Sequence, residues 1–385
     1  MIITTSSALA EFCSALRTAP YIAVDTEFMR EKSYYSKLCL VQVAYGEHAA
    51  AIDPLARGLD LSPLRELLCD PNIVKVLHSA TQDLEIFLNK IGQVPAPVFD
   101  TQIAASVCGM GEQPGYAKLV SSMLKIQIDK ASQVTDWSLR PLTDRQIEYA
   151  LADVTHLCVI YEKLVERLES TKRSTWVAEE MEALLDASRY SVLPEQAWRR
   201  LKIRRAKPKT LAVLRELAAW REEAAMDRDI PRSWVIRDDA LLEIAHSLPT
   251  NADELARVRA LSKQVAQGHD GHALLDAVQR ALASPEDSWP KLPPTPKRLS
   301  GHESLVALLQ ALLQQRCETH DVAMPVVARR SDLDRIATED NPDVPALAGW
   351  RRVVFGADAL ELCAGRLALT GGAGRVVDVR TVPES

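Results

Sequence analysis

The sequence predicts an α/β domain at the N-terminus, followed by two small all-α helical domains. Alternating strand and helix patterns fill residues 1–170, whereas residues 210–284 and 299–372 show helical periodicity alone. A helical basic linker over 171–209 and a proline-rich linker over 285–298 separate the three parts. A chain of 385 residues is long enough for two or three separately packed units.

The N-terminal domain begins with a predicted β-hairpin and continues with alternating helices and strands. The hydrophobic pattern predicts strands over 21–25, 38–44, 50–52 and 73–77, and helices over 61–68, 103–107 and 116–124. A further helix is expected to start near Ala80. Thr143 suits the N-cap of a long amphipathic helix over 144–168. We therefore expect a mixed β-sheet flanked by helices.

The two C-terminal domains share a local pattern. Residues 235–245 read VIRDDALLEIA and residues 327–337 read VARRSDLDRIA. Each segment follows an amphipathic helix and a proline, Pro231 or Pro325. This shared order predicts two copies of one small helical domain. Residues 373–385 are expected to form a frayed tail.

The composition is typical of an ordinary globular protein, with 47% hydrophobic and 25% charged residues. No apolar run reaches the roughly 18 to 20 residues of a membrane span, and the first ten residues lack the basic flank of a signal peptide. We expect a cytoplasmic protein with no membrane partner and no evident obligate protein partner. The seven scattered cysteines predict neither a disulfide framework nor a thiolate zinc site.

Positive charge is concentrated in one stretch, although the formal net charge of the chain is -6. Residues 197–209 contain no acidic residue and seven basic ones: Arg199, Arg200, Lys202, Arg204, Arg205, Lys207 and Lys209. Two interpretations remain open. The stretch is either a solvated helix face with a linker, or a strip that contacts phosphates, with Trp198 as a stacking surface.

Three short motifs contain the candidate catalytic residues. The apolar strand YIAVDTEF places Asp25 and Glu27 on one strand face, because side chains alternate along a strand. Asp83 lies where a strand passes into a helix. In QIEYALAD, Tyr149 and Asp153 are four residues apart, hence neighbours on one helical face. Taken singly, each motif also has a structural explanation: solvated edge-strand acids, a helix-start acid and a hydrogen-bonded core pair.

Taken together, the motifs resemble the DEDD exonuclease superfamily in its tyrosine-bearing branch, DEDDy, and more closely the ribonuclease D family. The resemblance includes VDTEFMR at 24–30, LCLVQVA at 38–44 and DWSLRPL at 136–142. The basic stretch and the helical repeats are also similar to that family, whose members carry helicase-and-RNase-D C-terminal (HRDC) domains. The resemblance extends over nearly the whole chain; it is specific over 20–160 and looser beyond 285.

The resemblance implies a ribonuclease-H-like exonuclease domain and two HRDC-like domains. It also implies a metal-dependent 3′→5′ exoribonuclease that releases 5′-mononucleotides from tRNA precursors or other 3′-extended structured RNA, with the helical domains enlarging the RNA contact. By the family pattern, two divalent metal ions bind four carboxylates: Asp25, Glu27, Asp83 and Asp153. Such hard oxygen ligands suit Mg²⁺ or Mn²⁺, and the choice between the two stays open. Tyr149 would orient the attacking water.

Candidate RNA contacts come from two places in the sequence. Phe28 and Met29 directly follow the acids and either stack on the terminal base or pack beneath the site. The basic stretch adds Arg199, Arg200, Lys202, Arg204 and Arg205. Three alternative functions remain: a DNA-directed 3′→5′ exonuclease of the same superfamily, a non-catalytic nucleic-acid-binding scaffold, and a metal-dependent phosphatase of small molecules.

Overall fold

The N-terminal domain contains a six-stranded mixed sheet with the order β1-β4-β3-β2-β5-β6. The computed structural model describes residues 1–128, 135–203, 205–259, 261–292, 302–371 and 377–381. The strands are β1 (Ile2–Ile3), β2 (Tyr21–Met29), β3 (Lys37–Tyr45), β4 (His48–Ile52), β5 (Val74–Leu77) and β6 (Val98–Asp100). Strands β2, β3 and β4 pair antiparallel, while β1, β5 and β6 join by parallel pairing. The mixed sheet predicted from the sequence is thus confirmed.

Six helices surround this sheet in the described part of the domain. They are α1 (Ser6–Ala15), α2 (Ser62–Leu68), α3 (Thr81–Ile91), α4 (Thr101–Val107), α5 (Tyr116–Leu124) and α6 (Asp144–Ser170). Thr143 caps α6 in a reciprocal capping box with Gln146, as the sequence indicates. The hydrophobic pattern of the sequence did not predict β1, β6 or α1. The two strands have only two and three residues, too few for a hydrophobic period to be recognised.

Side chains of β2 alternate between two cores. Ile22 and Val24 pack into the main core together with α1. Tyr21 and Ala23 point to the opposite face, where they pack beneath α6. By the same alternation, the next two residues on that face are the candidate catalytic acids. The sheet therefore presents both acids to helix α6.

The C-terminal part is mostly helical. After α7 (Ser174–Leu184), the first helical unit consists of α8 (Pro208–Asp227), α9 (Arg232–Val235), α10 (Asp238–Ser247), α11 (Ala252–Leu255), α12 (Lys263–Gln267) and α13 (His269–Ala283). The second helical unit contains α14 (Glu303–Thr319), α15 (Met324–Val327), α16 (Arg330–Thr338), α17 (Gly349–Arg351) and α18 (Ala357–Cys363). A π-helical turn over Arg352–Gly356 joins the last two helices. The described segments of the two units share the order long helix, short helix, medium helix.

A two-stranded hairpin, which the sequence analysis did not foresee, closes the second helical unit. Strand β7 (Leu367–Gly371) pairs antiparallel with β8 (Val377–Thr381). The expectation of a frayed tail is therefore wrong for Val377–Thr381, because backbone pairing with β7 supplies partners for its amides and carbonyls. Residues 293–301, which include the end of the predicted proline-rich linker, lie outside the described residues.

Residues 171–209 are packed rather than forming a free linker. Val177, Met181 and Leu184 of α7 are buried in the same core as the nuclease domain and the second helical unit. Further along, Pro194–Arg200 forms a 3-10 helix. Ala197, within that 3-10 helix, is buried in the core of the first helical unit. The exposed side chains of Arg199 and Arg200 thus lie at the end of a short 3-10 helix that is attached to the first helical unit.

The second helical unit is anchored to α7 by Trp350. Its ring stacks on Trp176 with centroids 4.8 Å apart, and its indole Nε1 donates to Glu180 at 2.9 Å. The backbone nitrogen of Trp350 donates to Glu179 at 3.0 Å. This unit thus shares buried surface with the nuclease domain, in contrast to the independent core of the first helical unit.

Two further sequence expectations concern the chain as a whole. All seven cysteines are free thiols, five of them buried. Among the described helices, none is both long enough and apolar enough to cross a bilayer. The predicted fold class, an α/β domain followed by a helical C-terminal part, matches the observed architecture.

Candidate active site

Three carboxylates meet between strand β2 and helix α6. Asp25 and Glu27 lie on the face of β2 that α6 covers, and Asp153 projects from α6 towards them. One oxygen from each of these three residues lies within 4.8 Å of the other two. Asp153 is only 7% exposed, because α6 packs closely on the sheet at this point. The packing of α6 on the sheet brings Asp153 to two acids that lie 126 and 128 residues earlier in the chain.

The fourth acid, Asp83, lies beside this group and is held by its own hydrogen bond. Thr26 Oγ1 donates to Asp83 Oδ1 at 2.5 Å. The turn before α3 is stabilised by Asp100, which accepts hydrogen bonds from the backbone nitrogens of Ser79 at 3.0 Å and Ala80 at 2.8 Å. Asp100 therefore positions Asp83, although nothing in its local sequence pattern had indicated this.

Burial raises the pKa of every one of the four acids, and repulsion by the other acids of the site adds to the shift at Asp25 and Glu27. Burial, and then the charges of the other three acids, raise the pKa of Asp25 well above its ordinary value. Burial raises the pKa of Glu27 to about 8, with Asp153 and Asp83 adding repulsion. Burial also raises the pKa of Asp83 to about 7 and that of Asp153 to about 6. Burial is the largest cause of the shift at each of the four acids.

This donor set fits divalent cations. Close, desolvated carboxylates without a cationic partner are costly unless a metal ion compensates their charge. Oxygen-only ligation suits a hard ion such as Mg²⁺ or Mn²⁺. The predicted ligand residues are therefore placed where such an ion could be held.

Tyr149 lies one helical turn before Asp153 on the same face of α6. Its hydroxyl lowers the pKa of the neighbouring Asp153 carboxyl, against the larger effect of burial. Burial, followed by the charge of Asp153, raises the pKa of Tyr149 above its ordinary value. The phenol therefore keeps its proton and acts as a hydrogen-bond donor at neutral pH.

Comparison with known proteins identifies the family. A family model described as 3′-5′ exonuclease matches residues 1–169, and an HRDC domain model matches residues 210–278. Ribonuclease D of Acidiphilium cryptum is 46% identical and aligns over 100% of this chain and 97% of its own length. Ribonuclease D of Granulibacter bethesdensis is 48% identical over 96% of this chain and 93% of its own length.

The chain belongs to the ribonuclease D family. The structure of Escherichia coli RNase D, described as an exoribonuclease involved in structured RNA processing, is similar with a TM-score of 0.82 and 34% identity. That similarity covers 95% of this chain and 98% of the other. The catalytic core of RRP6 from Trypanosoma brucei is similar with a TM-score of 0.54 and 27% identity, over 73% of this chain and 79% of the other. The protein is accordingly a 3′→5′ exoribonuclease, as the motifs imply.

In this ribonuclease D family member, a cavity of about 310 Å³ adjoins the acids. Tyr149 and Asp153 line it together with Arg145 and His156. Sequence reasoning missed the latter two residues. Their positions, four before Tyr149 and three after Asp153, continue the same helical stripe, so the helical period could have indicated them. The cavity offers space for the end of a nucleotide chain next to the acids.

Gln42 is a second residue that sequence reasoning missed. It is fully buried on β3, in register with Asp25 on β2. Among the described residues, neither atom of its amide group has a hydrogen-bond partner. A glutamine inside the apolar strand LCLVQVA was the available signal. Because cross-strand neighbours share a face, its amide lies on the side of the sheet that carries the acids.

The predicted RNA-contacting residues of this ribonuclease D family member occupy different environments. Phe28 is partly buried against the main core, and Met29 packs with the cluster that contains Trp137. Arg199 lies over the ring of Trp198 at 5.9 Å. The exposed side chains of the basic stretch include Lys202 and Arg205, Arg200 lines a cleft described below, and Arg204 lies outside the described residues.

Proposed function

We propose that this ribonuclease D family enzyme trims the 3′ ends of structured RNA, such as tRNA precursors, with the help of two divalent metal ions. Release of 5′-mononucleotides is part of the proposal. The single observation that supports it best is the group formed by Asp25, Glu27 and Asp153, with ligand oxygens within 4.8 Å of one another. A tRNA precursor as substrate agrees with the cytoplasmic location predicted from the sequence.

Each acid has a proposed role that follows from its place. Asp25, whose pKa is raised by all three of the other acids, lies centrally and would contact both ions. Glu27 and Asp153 would hold the ion nearest the attacking water, because both lie in the close group with Asp25. Asp83 would support the second ion from the side where Thr26 orients it. Bound divalent ions supply water activation and charge neutralisation at the phosphoryl oxygens.

Tyr149 would orient the attacking water rather than deprotonate it. Its raised pKa leaves the hydroxyl protonated, and when that one proton points to Asp153 the phenol oxygen can still accept a hydrogen bond from the water. The neighbouring carboxylate of Asp153 fixes the phenol on the correct side of α6.

The proposal is tested with 5′-labelled RNA that carries a 3′ extension, with Mg²⁺, with Mn²⁺ and with EDTA. We expect a ladder that shortens from the 3′ end, 5′-mononucleotide products, and no cleavage in EDTA. Asp25→Asn and Asp153→Asn should each lower the rate by about 10³-fold or more. Wild-type activity in either variant would contradict the assigned roles.

A matched DNA oligonucleotide in the same assay distinguishes the DNA-directed alternative, because equal or faster trimming of DNA would favour it. Calorimetric titration with Mg²⁺ tests the scaffold alternative. If no binding depends on Asp25, the acids have no metal-holding role.

A further inference from the structure

We propose that the cleft between the nuclease domain and the first helical unit binds the phosphates of single-stranded RNA on the 5′ side of the nucleotide in the active site. This inference rests on the proposed function and extends it to a second contact region. The cleft has a volume of about 710 Å³. Its walls come from the loop after β2, from the basic stretch and from helices α8 to α10.

The lining of the cleft is strongly basic in an otherwise acidic protein. Two aspartates and five arginines line it, which leaves a net charge of +3, and the arginines are Arg30, Arg200, Arg221, Arg232 and Arg237. The whole chain, in contrast, has a formal net charge of -6. Positive charge gathered in a concave surface focuses the electrostatic potential on an anionic ligand.

Two of these arginines maintain the structure of the cleft. Arg221, with a side chain only 5% exposed, pairs with Asp238 at 2.6 Å. Arg232 pairs with the fully buried Glu222 at 2.5 Å. Since both charges are largely offset by their partners, these two arginines shape the wall rather than attract a ligand.

The other three arginines are available to a ligand. Arg200 is exposed, and of the groups that lower the pKa of Glu222 it acts least. The side chain of Arg237 is 71% exposed, and its contact with the exposed Asp239 at 3.3 Å is of a kind that contributes little. Arg30 pairs with Glu85 at 2.9 Å but remains accessible. Guanidinium groups suit phosphate because they can donate two parallel hydrogen bonds.

The cleft begins where the catalytic strand ends. Arg30 directly follows β2 and lies three residues after Glu27, about 10 Å along an extended chain. Its partner Glu85 lies on α3, two residues after Asp83. Arg30 is therefore tied to both elements that carry catalytic acids. A strand of RNA whose 3′ end occupies the active site would meet Arg30 as it leaves.

An exposed tryptophan beside the cleft favours a nucleic acid over a free phosphate as the ligand. Helix α9, which supplies Arg232 to the wall, also carries Trp234, and that side chain is 60% exposed. Tryptophan is enriched at surfaces that bind a partner. Bases stack on such rings regardless of sequence. Arginines with a neighbouring exposed tryptophan are therefore typical of a single-strand binding surface.

The two walls of the cleft are held in place by Tyr34. Its hydroxyl donates a hydrogen bond to Glu222, and the guanidinium of Arg232 lies 4.6 Å from the centre of its ring. The backbone nitrogens of Tyr34 and Tyr35 donate to Asp229 Oδ1 at 3.1 and 3.0 Å. The loop after β2 is thus fixed to the first helical unit. A cleft formed before binding spares the ligand the entropic cost of ordering it.

The test compares the double variant Arg200→Ala/Arg237→Ala with a control, Arg257→Ala/Arg259→Ala. The control removes two exposed arginines of the same helical unit that do not line the cleft. Affinity for a fluorescent 16-nucleotide single-stranded RNA is measured by anisotropy at several KCl concentrations. All of these proteins carry Asp25→Asn to prevent cleavage.

We expect the cleft variant to bind about 10- to 100-fold more weakly, and the slope of log affinity against log salt to fall by about 1 to 2, because two phosphate contacts are lost. Trp234→Ala should weaken binding about 5-fold or more with an unchanged slope, since stacking involves no counterion release. Affinity and slope equal to those of the control would overturn the proposal. A loss confined to single-stranded DNA would also overturn it.

Cleavage of a dinucleotide, measured with active Asp25, separates this proposal from the proposed function. The only phosphate of a dinucleotide is the one being cleaved, so the cleft variant should retain kcat and KM within about twofold. Normal dinucleotide cleavage with unaltered 16-nucleotide binding would contradict the proposed RNA contact in the cleft and leave the proposed function intact. Loss of dinucleotide cleavage in the cleft variant would show that these arginines act on the active site itself, which also contradicts the proposal.

Discussion

Replacing Glu27 by glutamine should stabilise the metal-free protein at alkaline pH while it abolishes metal-dependent cleavage. Burial, followed by repulsion from Asp153 and Asp83, raises the pKa of Glu27 to about 8. Ionisation of this group in the folded protein therefore costs free energy. Glutamine has nearly the same volume and carries no charge. The substitution removes the cost together with the ability to hold a cation.

The raised pKa determines the sign and the size of the effect. The folded protein binds a proton at Glu27 up to about pH 8, whereas the unfolded chain releases it near the ordinary glutamate pKa of 4.5. Stability from this group is thus fully present below about pH 4.5 and is lost as the pH rises to about 8. At about 1.4 kcal/mol per pKa unit, the upper limit is about 5 kcal/mol. Since the neighbouring carboxylates take up protons together, we expect about 2 kcal/mol at pH 8.

The assay is thermal unfolding in EDTA at pH 5 and pH 8. The melting temperature of the wild type should decrease from pH 5 to pH 8. At pH 8 the melting temperature of Glu27→Gln should exceed that of the wild type by roughly 4 to 8 °C. Mg²⁺ should raise the melting temperature of the wild type at pH 8 and have little effect on the variant. Glu11→Gln, at an exposed position on α1, is the matched control. Equal pH dependence of the melting temperature in the wild type and in Glu27→Gln would contradict a raised pKa at Glu27.

Three further predictions concern other parts of the molecule. Tyr149→Phe should lower kcat by about 10- to 100-fold yet keep the stabilisation by Mg²⁺, because the phenol orients water but is no metal ligand; unchanged kcat would contradict this role. Lys75→Met should destabilise the nuclease domain by about 2 to 4 kcal/mol in urea unfolding, because the buried Nζ donates to three backbone carbonyls. Exposed Lys90→Met is its control, and equal midpoints would oppose the prediction. Trp350→Ala should make the second helical unit about 10-fold more sensitive to limited proteolysis, because it opens the contact with α7, whereas exposed Val353→Ala should not.

Local patterns were sufficient to predict the elements that carry the candidate catalytic acids. Alternation along β2 placed Asp25 and Glu27 on one face, and the helical period placed Tyr149 and Asp153 on another. Such patterns are physical consequences of backbone geometry, so they survive in whatever tertiary context the element occupies. The close group of three carboxylates follows once α6 is laid on the sheet.

Other features depended on contacts between distant residues. The site of Asp83 relies on Asp100 and Thr26, whose roles become visible only when β5, β6 and β2 are neighbours. Very short strands were missed because pairing with a partner, rather than their own pattern, stabilises them. The buried amide of Gln42 was likewise unremarkable until its strand was placed beside β2.

The amino-acid sequence predicts the candidate acids, the kind of element that carries each of them, and the family that they indicate. How the C-terminal part is arranged around these acids depends on tertiary packing. Residues 171–209 read as a linker because their charge is visible in sequence, while the burial of Met181 and Leu201 is not. The cleft arises where the loop after β2 meets the first helical unit, almost 200 residues away. Long-range packing of this kind leaves no periodic signal, because each partner alone resembles an ordinary surface residue.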